Sequence, residues 1–203
     1  MTSKSSAPTS VDIVIRPMTS ADVPRIRELH AAVLPLSYPS AFFLQLLLLP
    51  RRICLVAHHR SNPQSPIGFV SAALQEPLSA RNTHQKSSTS PRLAGSQLKH
   101  IPGCEPTELR IELLTLGVLP PYQQSGLGRR LVQRVIEVLL DSSASVDEAE
   151  EGALVYAHVS ASNKSALKFY ESMGMRVSSD LIRNMYTGTK SGSSDAYLVT
   201  GRV

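Results

Sequence analysis

Apolar and polar positions divide the chain into short segments whose period switches between two and about 3.6 residues. Val11–Arg16 alternates (VDIVIR) and predicts a first strand. Thr19 or Ser20 with Asp22 predicts a helix N-cap, and Val23, Ile26, Leu29, His30 and Val33 form the apolar stripe that follows. Pro35 ends that helix. The Pro-punctuated loop LPLSYPS comes next, and AFFLQLLLL predicts a short, largely buried second helix. RRICLVAHH and IGFVSAALQE read as strands two and three, hairpinned through SNPQSP. Leu109–Leu119 is a fourth strand, and Ser125–Leu140 a helix with Leu127, Leu131, Val135, Val138 and Leu139 on its core face. ALVYAHVS is a buried fifth strand, and NKSALKFYESM an Asn-capped helix stopped by Gly174. MRVSSDLIRNMY and SDAYLVTGRV are the last two strands. The order β-α-α-β-β-β-α-β-α-β-β predicts an α/β fold, a mixed seven-stranded sheet flanked by four helices.

Three stretches break this pattern. Residues 1–10 are Ser/Thr-rich and predict a disordered tail, while 78–107 and 142–152 are low-complexity insertions. A packed domain seldom tolerates about 30 structureless residues except as a surface insertion, so 78–107 predicts a disordered loop between strands three and four. The remainder, 11–203, reads as a single domain, and a hydrophobic content of 42% is enough for its core. Cys54 and Cys104 make no disulfide framework; Cys54 lies in an apolar strand and reads as a buried thiol, which favours intracellular, cytoplasmic residence. MTSKSSAPTS has no apolar core of a signal peptide, and no apolar run reaches membrane-spanning length, so no membrane partner is expected. The net charge of +5 and pI of about 9.4 suggest nucleic acid, but Arg81, Lys86, Arg92 and Lys99 against Glu105 put +3 of it in the 78–107 insertion. Without interleaved aromatics this is no base-reading motif; diffuse attraction to a ribosomal surface fits it better. His84 and His100 lack partners at metal-ligand spacing, and no metal is expected.

The stretch LLTLGVLPPYQQSGLGRRL, Leu113–Leu131, carries the first candidate chemistry. It reads as strand, glycine-containing turn and helix start, which gathers free backbone N–H groups at the positive end of a helix dipole and suits a phosphate. It is no P-loop, because no Gly-Lys-Ser/Thr follows, and it lacks the third glycine of a dinucleotide fingerprint. Arg129, Arg130 and Arg134 crowd a helix start where the dipole favours acids, which a polyphosphate would neutralise. His158 stands out between Val155 and Val159 on strand five, as a core histidine or as a base. Period-2 geometry puts Glu112, Leu114 and Leu116 on one face of strand four. Tyr170 is either core packing or a phenol facing a site.

Gln123-x-x-Gly126-x-Gly128 at a strand–helix junction resembles the signature of the GNAT acetyltransferases, and HVSASNKSALKFYESMGM resembles a second block of that family. Within it, LPLSY (Leu34–Tyr38), LLTLGVLPPYQQSGLG (Leu113–Gly128), YAHVSASNKSALKFYESMGM (Tyr156–Met175) and Asn184-Met185-Tyr186 resemble the NatE-type protein N-terminal acetyltransferases. The resemblance implies a GNAT fold with acetyl-CoA as cofactor. Its pyrophosphate would sit on the turn Gln123, Gln124, Ser125, Gly126, Leu127 and Gly128 with Arg129, and its pantetheine arm along Leu116, Gly117 and Val118. Asn163 and Ser165 would be further CoA contacts. The resemblance implies His158 as the base and Tyr170 as the proton donor to the departing thiolate. Glu112 departs from the pattern, standing where NatE-like enzymes carry a catalytic Tyr. Other GNATs use a Glu in this region, so an accessory base or an anchor for the substrate amine is expected; weakened catalysis or an exposed strand-start residue are the alternatives.

The peptide side is implied at Leu34, Pro35, Leu36 and Tyr38, with Leu114, Met185 and Tyr186 opposite, an apolar wall for an N-terminal Met followed by an apolar residue. An α-amino group of pKa about 7.7–8.0 costs under about 1 kcal/mol to deprotonate near neutrality, whereas lysine costs about 4, so a mild base is enough for the former. Implied partners are a peptide N-terminus, NatA-type catalytic and auxiliary subunits, and the ribosome. Two other functions stay open: a low-activity scaffold subunit of a ribosome-associated NatA-type complex, and a GNAT acting on lysine side chains.

Overall fold

The computed structural model describes residues 12–34, 38–75, 108–143, 152–186 and 194–203. The 1–10 tail, the 78–107 insertion, most of the 142–152 insertion, Pro35 and Leu36 lie outside the described residues. The elements are β1 (Ile13–Pro17), α1 (Val23–Val33), α2 (Ser40–Leu48), β2 (Arg52–His59), β3 (Asn62–Gln75), β4 (Leu109–Val118), α3 (Leu127–Ser143), β5 (Ala153–Ser160), α4 (Lys164–Ser172), β6 (Arg176–Ile182) and β7 (Ala196–Arg202). Their order is the predicted one. The seven strands form one mixed sheet in the order β1-β2-β3-β4-β5-β7-β6, parallel between β4 and β5 and antiparallel elsewhere.

The period-2 alternation of the strands sorts the core into two layers. Ile26 and Leu29 of α1 and Phe42, Phe43 and Leu46 of α2 pack on Cys54, Val56 and Phe69 on one side of the sheet. Leu127, Leu131, Val135 and Leu139 of α3, with Leu167 and Tyr170 of α4, pack on Leu55, Ala57, Val70, Ile111 and Val155 on the other. The core face of α3 also takes Val132 and Ile136, while Val138 is only half-buried. Nor is α2 largely buried: Leu44 and Leu48 are 51% and 77% exposed, because only the Phe42–Phe43–Leu46 side meets the sheet.

Three boundaries differ from the pattern reading. β3 begins at Asn62, so SNPQSP is mostly strand and the turn narrows to Arg60–Ser61. Pro63 and Pro66 are tolerated because β3 pairs with β4 only from Gly68 onward, and among the described residues no strand pairs with that side of β3 before it. α3 starts at Leu127 rather than Ser125, since Gly126 has φ +82. β6 stops at Ile182, and Asn184 turns the chain with φ 54, which places Met185 and Tyr186 in a connection instead of a strand. Thr19 and Asp22 form the expected capping box, on a 3-10 turn just before α1, and Asp22 is an anchor as well. Both its oxygens accept from Arg16 of β1, at 2.7 and 2.8 Å, and Oδ2 also accepts from the Thr19 N–H and hydroxyl. The Arg16 bonds hold this carboxyl well below the usual carboxylate range.

The site depends on one irregularity. Ser71 of β3 lies opposite Thr115 and Ala72 opposite Leu113, so Leu114 is an extra residue, a bulge in β4. The bulge reverses the alternation. Leu114 packs with the α1–α2 layer, as the face of Glu112 requires, but Leu116 and Val118 pack with the α3–α4 layer. The predicted face of Glu112, Leu114 and Leu116 therefore loses Leu116. From the same point β4 and β5 part: their pairing ends at Leu113 and Ala157.

His30 marks the α1–α2 layer as a dry one. Its ring stacks on Phe69 at 4.2 Å between centroids and meets Tyr38, Phe42 and Phe43 edge-on, with 3% exposure and no partner for Nδ1. Burial pushes its pKa down to about 4. Below the ordinary value of about 6.5 the unfolded chain takes up a proton that the folded one refuses, so stability falls as pH drops through 6.5 and the loss levels off near 4. The expected size is on the order of 3 kcal/mol. Denaturant titrations of the parent and of His30→Phe at pH 7, 6, 5 and 4 should show a shallower acid loss in the variant; parallel curves would refute this.

Candidate active site

The turn between β4 and α3 is built by its own side chains. Gln123 Nε2 donates to the Val118 carbonyl at 2.9 Å, and the Ser125 hydroxyl to the Tyr122 carbonyl at 2.6 Å. Gln124 and Gly126 both take left-handed backbone, φ 59 and φ 82, which costs least at a glycine. The first bond of α3 runs from the Arg130 N–H to the Gly126 carbonyl at 3.1 Å, so the amides of the turn before it fall outside the helix ladder. Gly128 is placed for closeness: a Cβ there would lie 3.3 Å from Phe169 of α4. The arginines divide the work differently from the sequence argument. Arg129 donates to the Ser172 carbonyl at the end of α4 at 2.6 Å, and Arg134 pairs with Glu137 at 2.9 Å on the surface. Of the two, only Arg129 lines the cleft.

From this turn a cleft of about 700 Å³ runs through the gap between β4 and β5 to the α1–α2 side. At its middle sits His158, with Glu112 behind it. His158 Nδ1 stands 3.8 Å from Glu112 Oε1, beyond hydrogen-bond length, and both side chains are buried. His158 Nε2 has no hydrogen-bond partner, so His158 is not a satisfied core histidine. Glu112, 8% exposed, is not an exposed strand-start residue either. Burial pushes the Glu112 carboxyl up, opposed by the Tyr156 hydroxyl, the Arg52 charge and the Gln75 amide, which reaches Oε2 at 3.3 Å. Burial pushes His158 down. Both shifts favour uncharged forms, an imidazole able to accept a proton beside a carboxyl reluctant to lose one. Tyr170 is 6% exposed and belongs to both readings: it packs in the α3–α4 core and lines the cleft, with its hydroxyl pushed up by burial.

The cleft brings together Leu34, Tyr38, Leu114, Leu116, Gly117, Val118, Gln123, Gln124, Gly126, Gly128, Arg129, His158, Asn163, Ser165, Tyr170 and Tyr186. Ser125 and Leu127 do not line it; Ser125 is committed to the turn and Leu127 to the core. Met185 stands outside the lining, and Glu112 lies behind His158. Asn163 caps α4 by accepting the Ala166 N–H at 3.0 Å, which aims that helix at the cleft. Gly117 is there because nothing larger fits: a Cβ would lie 2.5 Å from both Phe69 and Val33. Sequence reading missed Lys168, Phe169 and Ser172, which also line the cleft. The signal was available, since they follow Ser165 at three, four and seven residues, one face of a helix. Among the described residues no group of three His, Cys, Asp or Glu side chains could hold a metal ion, and no helix is long and apolar enough to cross a membrane.

Residues 23–175 match the model of the acetyltransferase (GNAT) family. The chain belongs to that family. Among curated relatives, this GNAT is 28% identical over 165 residues to histone acetyltransferase MCC1 of Arabidopsis thaliana, covering 79% of the chain and 59% of that protein. It is 31% identical over 68 residues to N-alpha-acetyltransferase 50 of Danio rerio, covering 34% and 36%. The chain thus spans between about a third and three-fifths of the length of these relatives. Among solved structures, Arabidopsis thaliana NAA60 in complex with a bisubstrate analogue superimposes with a TM-score of 0.69 at 23% identity, over 94% of this chain and 97% of that one. Arabidopsis thaliana Naa50 in complex with the bisubstrate analogue CoA-Ac-MVNAL does so at 0.62 and 19%, over 94% and 98%. At these identities the superpositions show the fold.

GNAT enzymes use acetyl-CoA, and this chain's own geometry fits that group. The turn offers amides at a helix N-terminus for a diphosphate, and among the described residues no strand pairs with β4 on the β5 side beyond Leu113, which leaves room for an amide-bearing arm. Gly126→Val would strain the left-handed φ on which the arrangement of the turn amides depends. It is expected to raise the acetyl-CoA Kd by roughly tenfold or more, about 1.4 kcal/mol, in a calorimetric titration. An unchanged Kd would place the diphosphate elsewhere.

Proposed function

We propose that this GNAT is a protein N-terminal α-amino acetyltransferase of the NatE type, acting on an N-terminal Met followed by an apolar residue. The observation that carries this reading is the cleft itself. It opens at one end on a phosphate-binding turn and at the other on an apolar wall of Leu34, Tyr38, Leu114 and Tyr186, with a buried imidazole between them. A site whose buried imidazole is pushed toward its neutral form suits an amine that is already partly deprotonated near neutrality, as an α-amino group is and a lysine is not. The reading takes 11–203 as one catalytic domain working in the cytoplasm, with NatA-type subunits and the ribosome as its proposed surroundings.

When bound, acetyl-CoA supplies the thioester acetyl group. The amides of the Gln124–Gly128 turn and the α3 dipole would hold its diphosphate, with Arg129 beside it and Asn163 and Ser165 as further contacts to the cofactor. Leu116, Gly117 and Val118 offer backbone groups to its arm. His158 takes the proton of the peptide's α-ammonium at Nε2, and Glu112, facing Nδ1 at 3.8 Å, steadies the imidazolium that results. This gives the carboxylate the part of an accessory base and accounts for a Glu where NatE-like enzymes carry a Tyr. Tyr170, its hydroxyl kept protonated by burial, holds a proton at the cofactor end.

A second reading, acetylation of lysine side chains, is favoured by the likeness to a histone acetyltransferase. It would need Glu112, with its raised pKa, as the principal base. One assay separates the readings: acetyl transfer to Met-Leu, Ser-Ala and internal-lysine peptides, beside acetyl-CoA binding by calorimetry. Transfer to Met-Leu above the others is expected. Lysine transfer would move the assignment, binding without transfer would favour a scaffold, and no binding would end the enzyme reading. His158→Ala should lower kcat by about 10²–10⁴. Glu112→Gln should lower kcat with the acetyl-CoA Kd within about twofold; unchanged turnover would remove Glu112 from the mechanism.

A further inference from the structure

We propose that Asp195 is a positioning residue for the peptide end of the cleft, acting through the Asn184 turn and Tyr186 on the backbone of His158. The proposal rests on the acetyltransferase reading above. β6 leaves the sheet at Ile182, and the chain turns at Asn184 with φ 54, a conformation Asn adopts more readily than most residues. Asp195 Oδ1 accepts the Asn184 N–H at 2.9 Å, a charge-assisted bond. The Ser194 hydroxyl donates to Asn184 Oδ1 at 3.2 Å, and the Tyr186 N–H donates to the Ser194 carbonyl at 2.8 Å. On the other side, the Asp195 carbonyl accepts the Ala161 N–H at 2.9 Å, one residue past the end of β5. A single residue therefore ties the connection leaving β6 to the end of the catalytic strand.

This clasp presents Tyr186. The Tyr186 hydroxyl donates to the His158 carbonyl at 2.7 Å, so it is spent on the strand and not free for a peptide, while its ring lines the cleft. His158 is the first residue of β5 beyond its pairing with β4, where the strand has lost its neighbour on that side. The link from Tyr186 replaces part of that support at the residue whose side chain faces the substrate. Burial, with Tyr38, Tyr170 and Glu112 adding to it, pushes the Tyr186 phenol up, which favours the protonated, donating form. Loosening the Asn184 turn thus moves the aromatic wall and the His158 backbone together, and leaves the diphosphate turn, on α3, untouched.

Steady-state kinetics on a Met-Leu peptide test this. Asp195→Ala should raise the peptide KM by roughly tenfold, the scale of one charge-assisted hydrogen bond, with the acetyl-CoA Kd within about twofold. Asp195→Asn keeps the Oδ1 acceptor and should recover most of the loss. Tyr186→Phe should raise KM by itself, and adding Asp195→Ala to it should change KM little further, because both break one chain of contacts. A merely structural role would lower Tm and the active fraction while KM stays put, or would give additive effects, and either result overturns the proposal. Should Asp195→Ala fail to fold, Asn184→Ala strains the same turn and carries the same expectation. Should the parent chain bind no acetyl-CoA or acetylate no peptide, the acetyltransferase reading fails instead. The clasp is then judged by amide exchange at Val159–Ala161, expected faster in both Asp195→Ala and Tyr186→Phe and overturned if unchanged.

Discussion

The parting of β4 from β5 is the constraint on which the rest of the molecule turns. A sheet hydrogen-bonds every strand it can, because an unpaired backbone group shut away from water costs about as much as a lost bond. Here the ladder between the two parallel strands stops at Leu113 and Ala157, and one added residue, Leu114, reverses the alternation of β4 at the same place. The opening gives both layers access to a single cleft. It also leaves backbone groups that a ligand or a side chain must satisfy, and the Tyr186 hydroxyl on the His158 carbonyl is one such substitute.

The surrounding elements hold that opening in shape. α3 and α4 meet at its upper end, joined by Arg129 on the Ser172 carbonyl and by Phe169 against Gly128. On the other side, Phe69 fills the space under Gly117 and is itself stacked on His30. Glu112 and His158 are buried by the same layers, and that burial sets both toward their uncharged forms. Packing and electrostatics are therefore not separable here: the apolar walls that line the cleft are also what tunes the two titratable groups, His158 at its middle and Glu112 behind it.

Much of this was legible in the residues. The period of the apolar positions carried the element order, and the glycine turn with its flanking strand and helix carried the phosphate-like end of the cleft. Lys168 and Ser172 could have been found from Ser165 by helical spacing alone. Other features were not legible for physical reasons. A bulge leaves no mark in a hydrophobic pattern, since Leu113, Leu114 and Leu116 are equally apolar, so the reversal at Leu114 misplaced Leu116. Contacts across elements are likewise silent: Arg129 looked like free charge at a helix start until folding brought the Ser172 carbonyl of α4 to it, whereas the Arg134–Glu137 pair, three residues apart on α3, follows from helical spacing alone.

By itself, the sequence determined the order of strands and helices, that they form a mixed sheet flanked by four helices, and where a helix N-terminus meets a glycine turn. These follow from local propensity and periodicity, which depend on neighbours along the chain. Only the tertiary structure decided that Glu112 stands 3.8 Å behind His158, that Tyr186 is bound to the His158 backbone, and that Asp195 holds both ends of that link. Those relations join residues that lie 46, 28 and 11 positions apart, and no local rule reports a distance across a sheet.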